Sequence, residues 1–97
     1  MKEEYIRELD KKRIEIGIPI ILYRDLWAYA IVFSQNYINR DLAHEYAYQI
    51  VKKAMTKVEK KYIGLPDTHD YNFRKYSKEL VQQAMQELNI KEPKKVL

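Results

Sequence analysis

The chain has no cysteine, only two glycines and only three prolines among its 97 residues. Without cysteine it forms no disulfide, offers no thiolate to a metal ion and has no thiol nucleophile. The two glycines, Gly17 and Gly64, lie too far apart to build a glycine-rich phosphate-binding loop. These absences exclude disulfide-stabilised folds, cysteine-based metal or catalytic sites, and P-loop nucleotide binding.

The sequence also lacks a long apolar run. Its longest stretch without a charged residue, Leu26–Asn39, covers fourteen positions and includes four polar side chains. A membrane-spanning helix needs roughly 20 apolar residues, and the charged start Met1–Glu4 differs from the apolar segment of a signal peptide. We therefore expect no membrane association and, together with the missing cysteine, a cytoplasmic location.

Both glycines and two of the prolines belong to one pattern used twice, Ile16-Gly17-Ile18-Pro19 and Ile63-Gly64-Leu65-Pro66. Glycine just after a helix adopts the left-handed conformation without steric cost, and proline prevents the helix from continuing. Each tetrad therefore predicts a helix end and a reversal of the chain. A further break is expected at Asn39–Asp41, because a single helix from Pro19 to Ile63 would span roughly 66 Å.

Apolar residues recur at helical spacing between these signals, and no segment alternates with the period of a strand for long enough to predict one. The predicted helices cover roughly residues 2–16, 20–38, 40–62 and 70–89. We therefore predict an all-α fold, a compact four-helix domain over residues 1–90, followed by a flexible basic tail at residues 91–97. The side chains of Asp67, Thr68 and Asp70 are the expected caps of the fourth helix.

The second predicted helix is apolar around most of its circumference. Its only charged residues, Arg24 and Asp25, lie on a narrow polar face. Such a helix is either central in its own domain or contacts a second subunit, and surplus aromatic surface is typical of protein interfaces. The residues predicted to form either the core or an interaction face are Leu22, Leu26, Trp27, Tyr29, Phe33 and Tyr37.

The formal net charge is +4, and most of the excess lies in residues 40–63, with six basic and three acidic side chains. Lys53, Lys57 and Lys60 follow one edge of the third predicted helix, and Lys52 lies on its outward face. Such a strip of lysines can contact nucleic-acid phosphates. Lysine on the solvent side of a helix also serves solubility alone, so an ordinary solvated face is the alternative interpretation.

The remaining candidate groups do not form a recognisable catalytic or metal-binding motif. His44 and His69 lack the spacing of known metal sites, and Ser34 and Ser77 fall inside predicted helices rather than on sharp turns. We therefore predict no catalytic residues, no metal, no cofactor and no small-molecule substrate, so the protein is not expected to be an enzyme.

Together these observations favour a small helical protein that acts by protein–protein interaction. It would present a rigid helical face to its own copy, as a homodimer, or to a larger protein that it regulates or inhibits. The alternative is a DNA- or RNA-binding accessory protein that uses Lys52, Lys53, Lys57 and Lys60.

Overall fold

The computed structural model describes residues 3–38, 41–67 and 71–90, apart from the side chains of residues 37 and 38. Within these ranges the chain forms four α-helices and no strand, which confirms the predicted all-α four-helix fold. The helices are α1 (Glu3–Ile16), α2 (Ile20–Phe33), α3 (Ala43–Met55) and α4 (Arg74–Glu87). A π-helical turn, Ser34–Ile38, extends α2, and a short 3₁₀ helix, Lys60–Tyr62, follows α3. The predicted basic tail, residues 91–97, lies outside the described residues.

Helix α2 lies at the centre and contacts α1, α3 and α4. Its Leu22, Leu26 and Ala30 are fully buried. Alanine side chains at 47 and 54 of α3 are fully buried as well, and their small size lets α2 and α4 approach closely. Helix α1 is peripheral: it packs across α2 and α3, and its Leu9 is fully buried in the core. The wide apolar circumference of α2 is therefore largely covered within one chain.

The two glycine–proline tetrads lie side by side. Both glycines have positive φ angles, +93° at Gly17 and +83° at Gly64. The N–H groups of Gly17 and Ile18 donate to the Arg13 carbonyl and end α1. The Gly64 N–H donates to the Gly17 carbonyl at 2.8 Å, so the second turn is hydrogen-bonded directly to the first. The repeated sequence pattern therefore forms one structural unit rather than two independent turns.

The carboxylate of Asp67, which directly follows the second tetrad, caps the N-terminus of α2. The Ile20 N–H donates to Asp67 Oδ1 at 2.7 Å, across 47 positions of sequence. The expectation that Asp67 caps the fourth helix is therefore wrong. Helix α4 begins at Arg74, whose N–H donates to Asn72 Oδ1. Helix α4 therefore begins four residues later than the predicted start at residue 70, because the chain first passes the start of α2 at Asp67. The other two expected caps, Thr68 and Asp70, lie outside the described residues.

The third helix is shorter than the predicted span of 40–62. It ends at Met55, where the N–H groups of Thr56 and Lys57 donate three residues back and the Thr56 hydroxyl donates to the Lys53 carbonyl at 2.6 Å. These local bonds satisfy the last carbonyls and replace the helical pattern. The Glu59 N–H then donates to the Tyr76 hydroxyl at 2.9 Å. Beyond Met55 the apolar spacing reflects loop residues that pack on the core, not a continuing helix.

Replacing each tetrad glycine with alanine tests this packing. Both Gly17→Ala and Gly64→Ala place a side chain in the left-handed region, which costs about 1–2 kcal/mol. A Cβ at position 17 would also lie 3.2 Å from Ile63 Cγ2, whereas one at position 64 would meet no atom within 4 Å. We expect Gly17→Ala to lower the free energy of unfolding by about 1 kcal/mol more than Gly64→Ala. Urea denaturation followed by circular dichroism measures the difference; equal losses would contradict the close contact between the turns.

Candidate functional site

The predicted interaction residues of the second helix lie mostly in the core of this chain. Leu22 and Leu26 are fully buried, and Trp27 and Phe33 expose less than a tenth of their surface, at 7% and 8%. Tyr29 is half-buried, and the side chain of Tyr37 lies outside the described residues. Contacts with α1, α3 and α4 account for this burial, so Tyr29 is the member of the set with a described side chain that is not buried in the core.

The four lysines of the predicted strip do not share one helix edge, because α3 ends before Lys57 and Lys60. The ammonium groups of Lys53 and Lys57 lie 3.8 and 2.5 Å from the Glu87 carboxylate of α4. Lys52 is exposed, with its ammonium group 5.7 Å from the centre of the Tyr48 ring, and Lys60 is exposed on the 3₁₀ helix. Two of the four lysines therefore share one acidic side chain, Glu87, that the sequence pattern did not include, and this side chain offsets one of the four positive charges.

The groups considered for metal binding and catalysis are dispersed. His44 lies in the first turn of α3, and His69 lies outside the described residues. No set of three or more histidine, aspartate and glutamate side chains in the described ranges is placed to hold a metal ion. Ser34 and Ser77 are fully buried, and the Ser77 hydroxyl donates to the Phe73 carbonyl at 2.7 Å. In the same ranges, none of the helices has the length and apolar character to cross a bilayer.

An apolar cleft of about 350 Å³ lies between α1 and α2. Ile6 and Asp10 of α1 form one wall, and the other is formed by four residues of α2, namely Ile20, Tyr23, Arg24 and Trp27. Ile6 and Asp10 are four residues apart on α1, which places them on the same side of that helix. The cleft exists because α1 covers only part of the apolar circumference of α2.

Buried polar contacts hold the walls of this cleft in place. The Tyr23 hydroxyl donates to the Ile6 carbonyl at 3.0 Å, which links the two walls directly. The Arg13 guanidinium donates to Asp10 Oδ1 at 2.8 Å and to the Ile18 carbonyl at 3.2 Å, and lies 5.6 Å from the centre of the Tyr23 ring. Burial raises the pKa of the Tyr23 phenol, so the hydroxyl remains a donor at neutral pH. The cleft is therefore a preformed feature of the fold.

A second, more polar cavity of about 540 Å³ adjoins the first. It lies between α2 and the segment that leads into α4, and its lining residues are Ile21, Arg24, Asp25, Tyr71, Asn72, Phe73 and Arg74. Arg24 lines both cavities. Burial raises the pKa of the half-buried Asp25 carboxyl, and the nearby Arg74 charge partly opposes this rise. Neither the Arg24 nor the Arg74 guanidinium forms an ion pair with a carboxylate of the described residues, and both side chains are exposed.

Among the residues that the structure describes, large apolar side chains are exposed at two places on the surface. Ile14 and Ile16, near the end of α1, are 62% and 40% exposed, and Val32 and Leu42, at the α2–α3 corner, are each 46% exposed. Ile14 lies one helical turn beyond Asp10 and so flanks the apolar cleft.

Comparisons of this chain with family models, with curated proteins and with solved structures found no match. The two cavities were not predicted from the sequence, since their walls come from segments that are far apart along the chain. One signal was present nevertheless. Arg24 and Asp25 are the only charged residues in an otherwise apolar helix, and they lie at the cavities.

The ion pairs of Glu87 can be tested by titration. The hydrogen bond from Lys57 is the main cause that lowers the pKa of Glu87. A carboxylate with a lowered pKa stabilises the fold above its unfolded-state pKa, and this contribution is lost as the pH falls through the folded-state pKa. Lys57→Met should therefore raise the pKa of Glu87 towards its ordinary value and reduce the loss of stability in acid.

The measurement is a carboxyl-carbon NMR titration of Glu87 in the wild type and in Lys57→Met. Lys60→Met is the matched control, since this substitution also removes one positive charge but Lys60 forms no ion pair with Glu87. The control should leave the Glu87 titration unchanged. An unaltered titration in Lys57→Met would show that the pair does not persist in solution.

Proposed function

We propose that this protein acts by binding another protein, and that the apolar cleft between α1 and α2 receives an apolar side chain of that partner. The observation that carries the proposal is an open, preformed apolar cleft whose walls include Tyr23 and Trp27, with the exposed Ile14 one helical turn beyond Asp10 of its wall. Pockets with aromatic walls that accept an anchoring side chain supply much of the affinity of protein interfaces. A domain of this kind would act as a regulator or inhibitor by occupying a surface of its partner.

A different protein is favoured over a second copy as the occupant. Within the described part of the chain, the exposed large apolar residues form two small groups, near Ile14 and near Val32. Ile14 is in α1, just before the turn that leads into α2, whereas Val32 is near the end of α2, and residues 20 to 32 span roughly 18 Å along that helix. A stable dimer buries about 800 Å² on each subunit, usually as one continuous patch. A small apolar cleft is better suited to an anchoring side chain than to a flat homodimer interface.

Two further observations support this choice over the alternatives. Lys53 and Lys57 share Glu87, which lowers the net charge of the four-lysine strip by one unit and so weakens its attraction for a nucleic acid. For an enzyme, a hydroxyl nucleophile must reach its substrate, and Ser34 and Ser77 are fully buried. A non-enzymatic protein-binding role accounts for the exposed apolar features without needing these groups.

The experiment compares two positions of the same surface character. A photo-cross-linking amino acid is placed at position 14 or at position 32 in cells of the native host, and the cross-linked protein is identified and purified. Its affinity is then measured for the wild type, for Ile14→Asp and for Val32→Asp. Both substitutions are at exposed sites, so thermal melts should stay close to the wild type.

We expect a cross-link from position 14 to another protein, and an affinity at least roughly tenfold weaker in Ile14→Asp but not in Val32→Asp. Cross-linking only from position 32, or no cross-link from either, would contradict the proposal. A cross-link to the chain itself, with a dimeric mass in sedimentation, would replace the separate partner with a second copy.

A further inference from the structure

We propose that the partner segment is acidic, with a carboxylate beside its apolar anchor that binds Arg24 and Arg74 in the polar cavity. This inference rests on the proposed function, because it concerns what else the occupant of the apolar cleft contacts. It assigns a chemical class to the partner: an acidic segment in which a carboxylate and an apolar side chain lie close together.

The first step is that the two cavities are neighbours that share one lining residue. Arg24 belongs to the lining of both. Ile20 lines the apolar cleft and Ile21 lines the polar cavity, so neighbouring residues of α2 divide the two spaces. An occupant with its apolar side chain in the first cavity therefore extends its next polar group towards Arg24.

The second step is the net charge of the side chains that line the polar cavity. The polar cavity is lined by two guanidinium groups, Arg24 and Arg74, and by one carboxyl group, Asp25. With Asp25 ionised, the lining has a net charge of one positive unit. Arginine binds a carboxylate through two parallel N–H···O bonds, and neither guanidinium forms an ion pair within the described part of the chain. One additional carboxylate, supplied by the partner, would therefore neutralise the net charge of the cavity lining.

The third step separates a peptide from a nucleic acid. Asp25 is half-buried in the cavity wall, where it repels closely spaced phosphates but can accept a hydrogen bond from a peptide N–H. A peptide with an acidic side chain supplies both a carboxylate for the arginines and N–H donors for Asp25. The chain's net charge of +4 also favours encounter with an acidic partner.

Two small probes with the same apolar group test the carboxylate directly. N-acetyl-phenylalanine carries a carboxylate, and N-acetyl-phenylalaninamide replaces it with a neutral amide. Each is titrated into the full chain labelled with ¹⁵N, and backbone and arginine Nε–H shifts are followed. We expect saturable shifts at Arg24, Asp25 and Arg74, with the acid binding at least roughly tenfold more tightly than the amide, since hydrogen bonds to charged groups contribute more than neutral ones.

Arg74→Gln should remove most of this preference for the acid, and Lys75→Gln should keep it. Lys75 is the matched control, because it is exposed on the next residue of α4 but does not line the cavity. Arg24→Gln should also reduce the preference. Thermal melts establish that each variant is folded before its titration is interpreted.

Equal binding of the two probes would overturn the inference while leaving the proposed apolar anchor intact. Absence of saturable binding by either probe, or shifts centred elsewhere, would also overturn it. Inorganic pyrophosphate and a short single-stranded oligonucleotide are titrated in parallel. Tighter binding of either at Arg24 and Arg74 than of the acid would identify a phosphate site instead. The cross-linking result at position 14 is independent of all these outcomes, so failure of the proposed function is recognised separately.

Discussion

The hydrogen bond from the Gly64 N–H to the Gly17 carbonyl is the contact on which the rest of the architecture depends. It holds the turn after α1 against the chain that returns from α3, and both glycines adopt the left-handed conformation that this approach needs. With the turns in place, Asp67 reaches the first N–H of α2. This long-range contact thus links the turn after α1, the start of α2 and the segment before α4.

The two cavities follow from this constraint. The turn at Gly17 brings α1 back along α2 but leaves the peripheral helix covering only part of it, which opens the apolar cleft beside Ile6 and Trp27. The return of the chain past Asp67 places Tyr71 and Arg74 opposite Arg24, which forms the polar cavity. The proposed binding surface therefore lies along the first two turns of α2, where the two glycine–proline turns position its walls. It does not lie at the exposed α2–α3 corner.

The sequence predicted local features well and long-range partnerships poorly. Glycine and proline signals and helical spacing located the four helices, because these depend on neighbouring residues. The end of α3 was missed, since Val58 and Tyr62 continue the apolar spacing while packing on the core from a loop and from the short 3₁₀ helix. The cap by Asp67 and the pairing of Lys57 with Glu87 join residues 47 and 30 positions apart, and side-chain type alone does not select such partners. For the same reason, the sequence did not predict that Arg24 and Arg74 line one cavity.

The contact between the turns can be observed directly in solution. A long-range HNCO experiment detects the coupling between an amide nitrogen and the carbonyl carbon that accepts its hydrogen bond. We expect a correlation between the Gly64 amide nitrogen and the Gly17 carbonyl carbon, together with slow exchange of the Gly64 amide hydrogen. Absence of that correlation, with Gly64 exchanging as fast as an unstructured residue, would contradict the account that the docked turns organise this fold.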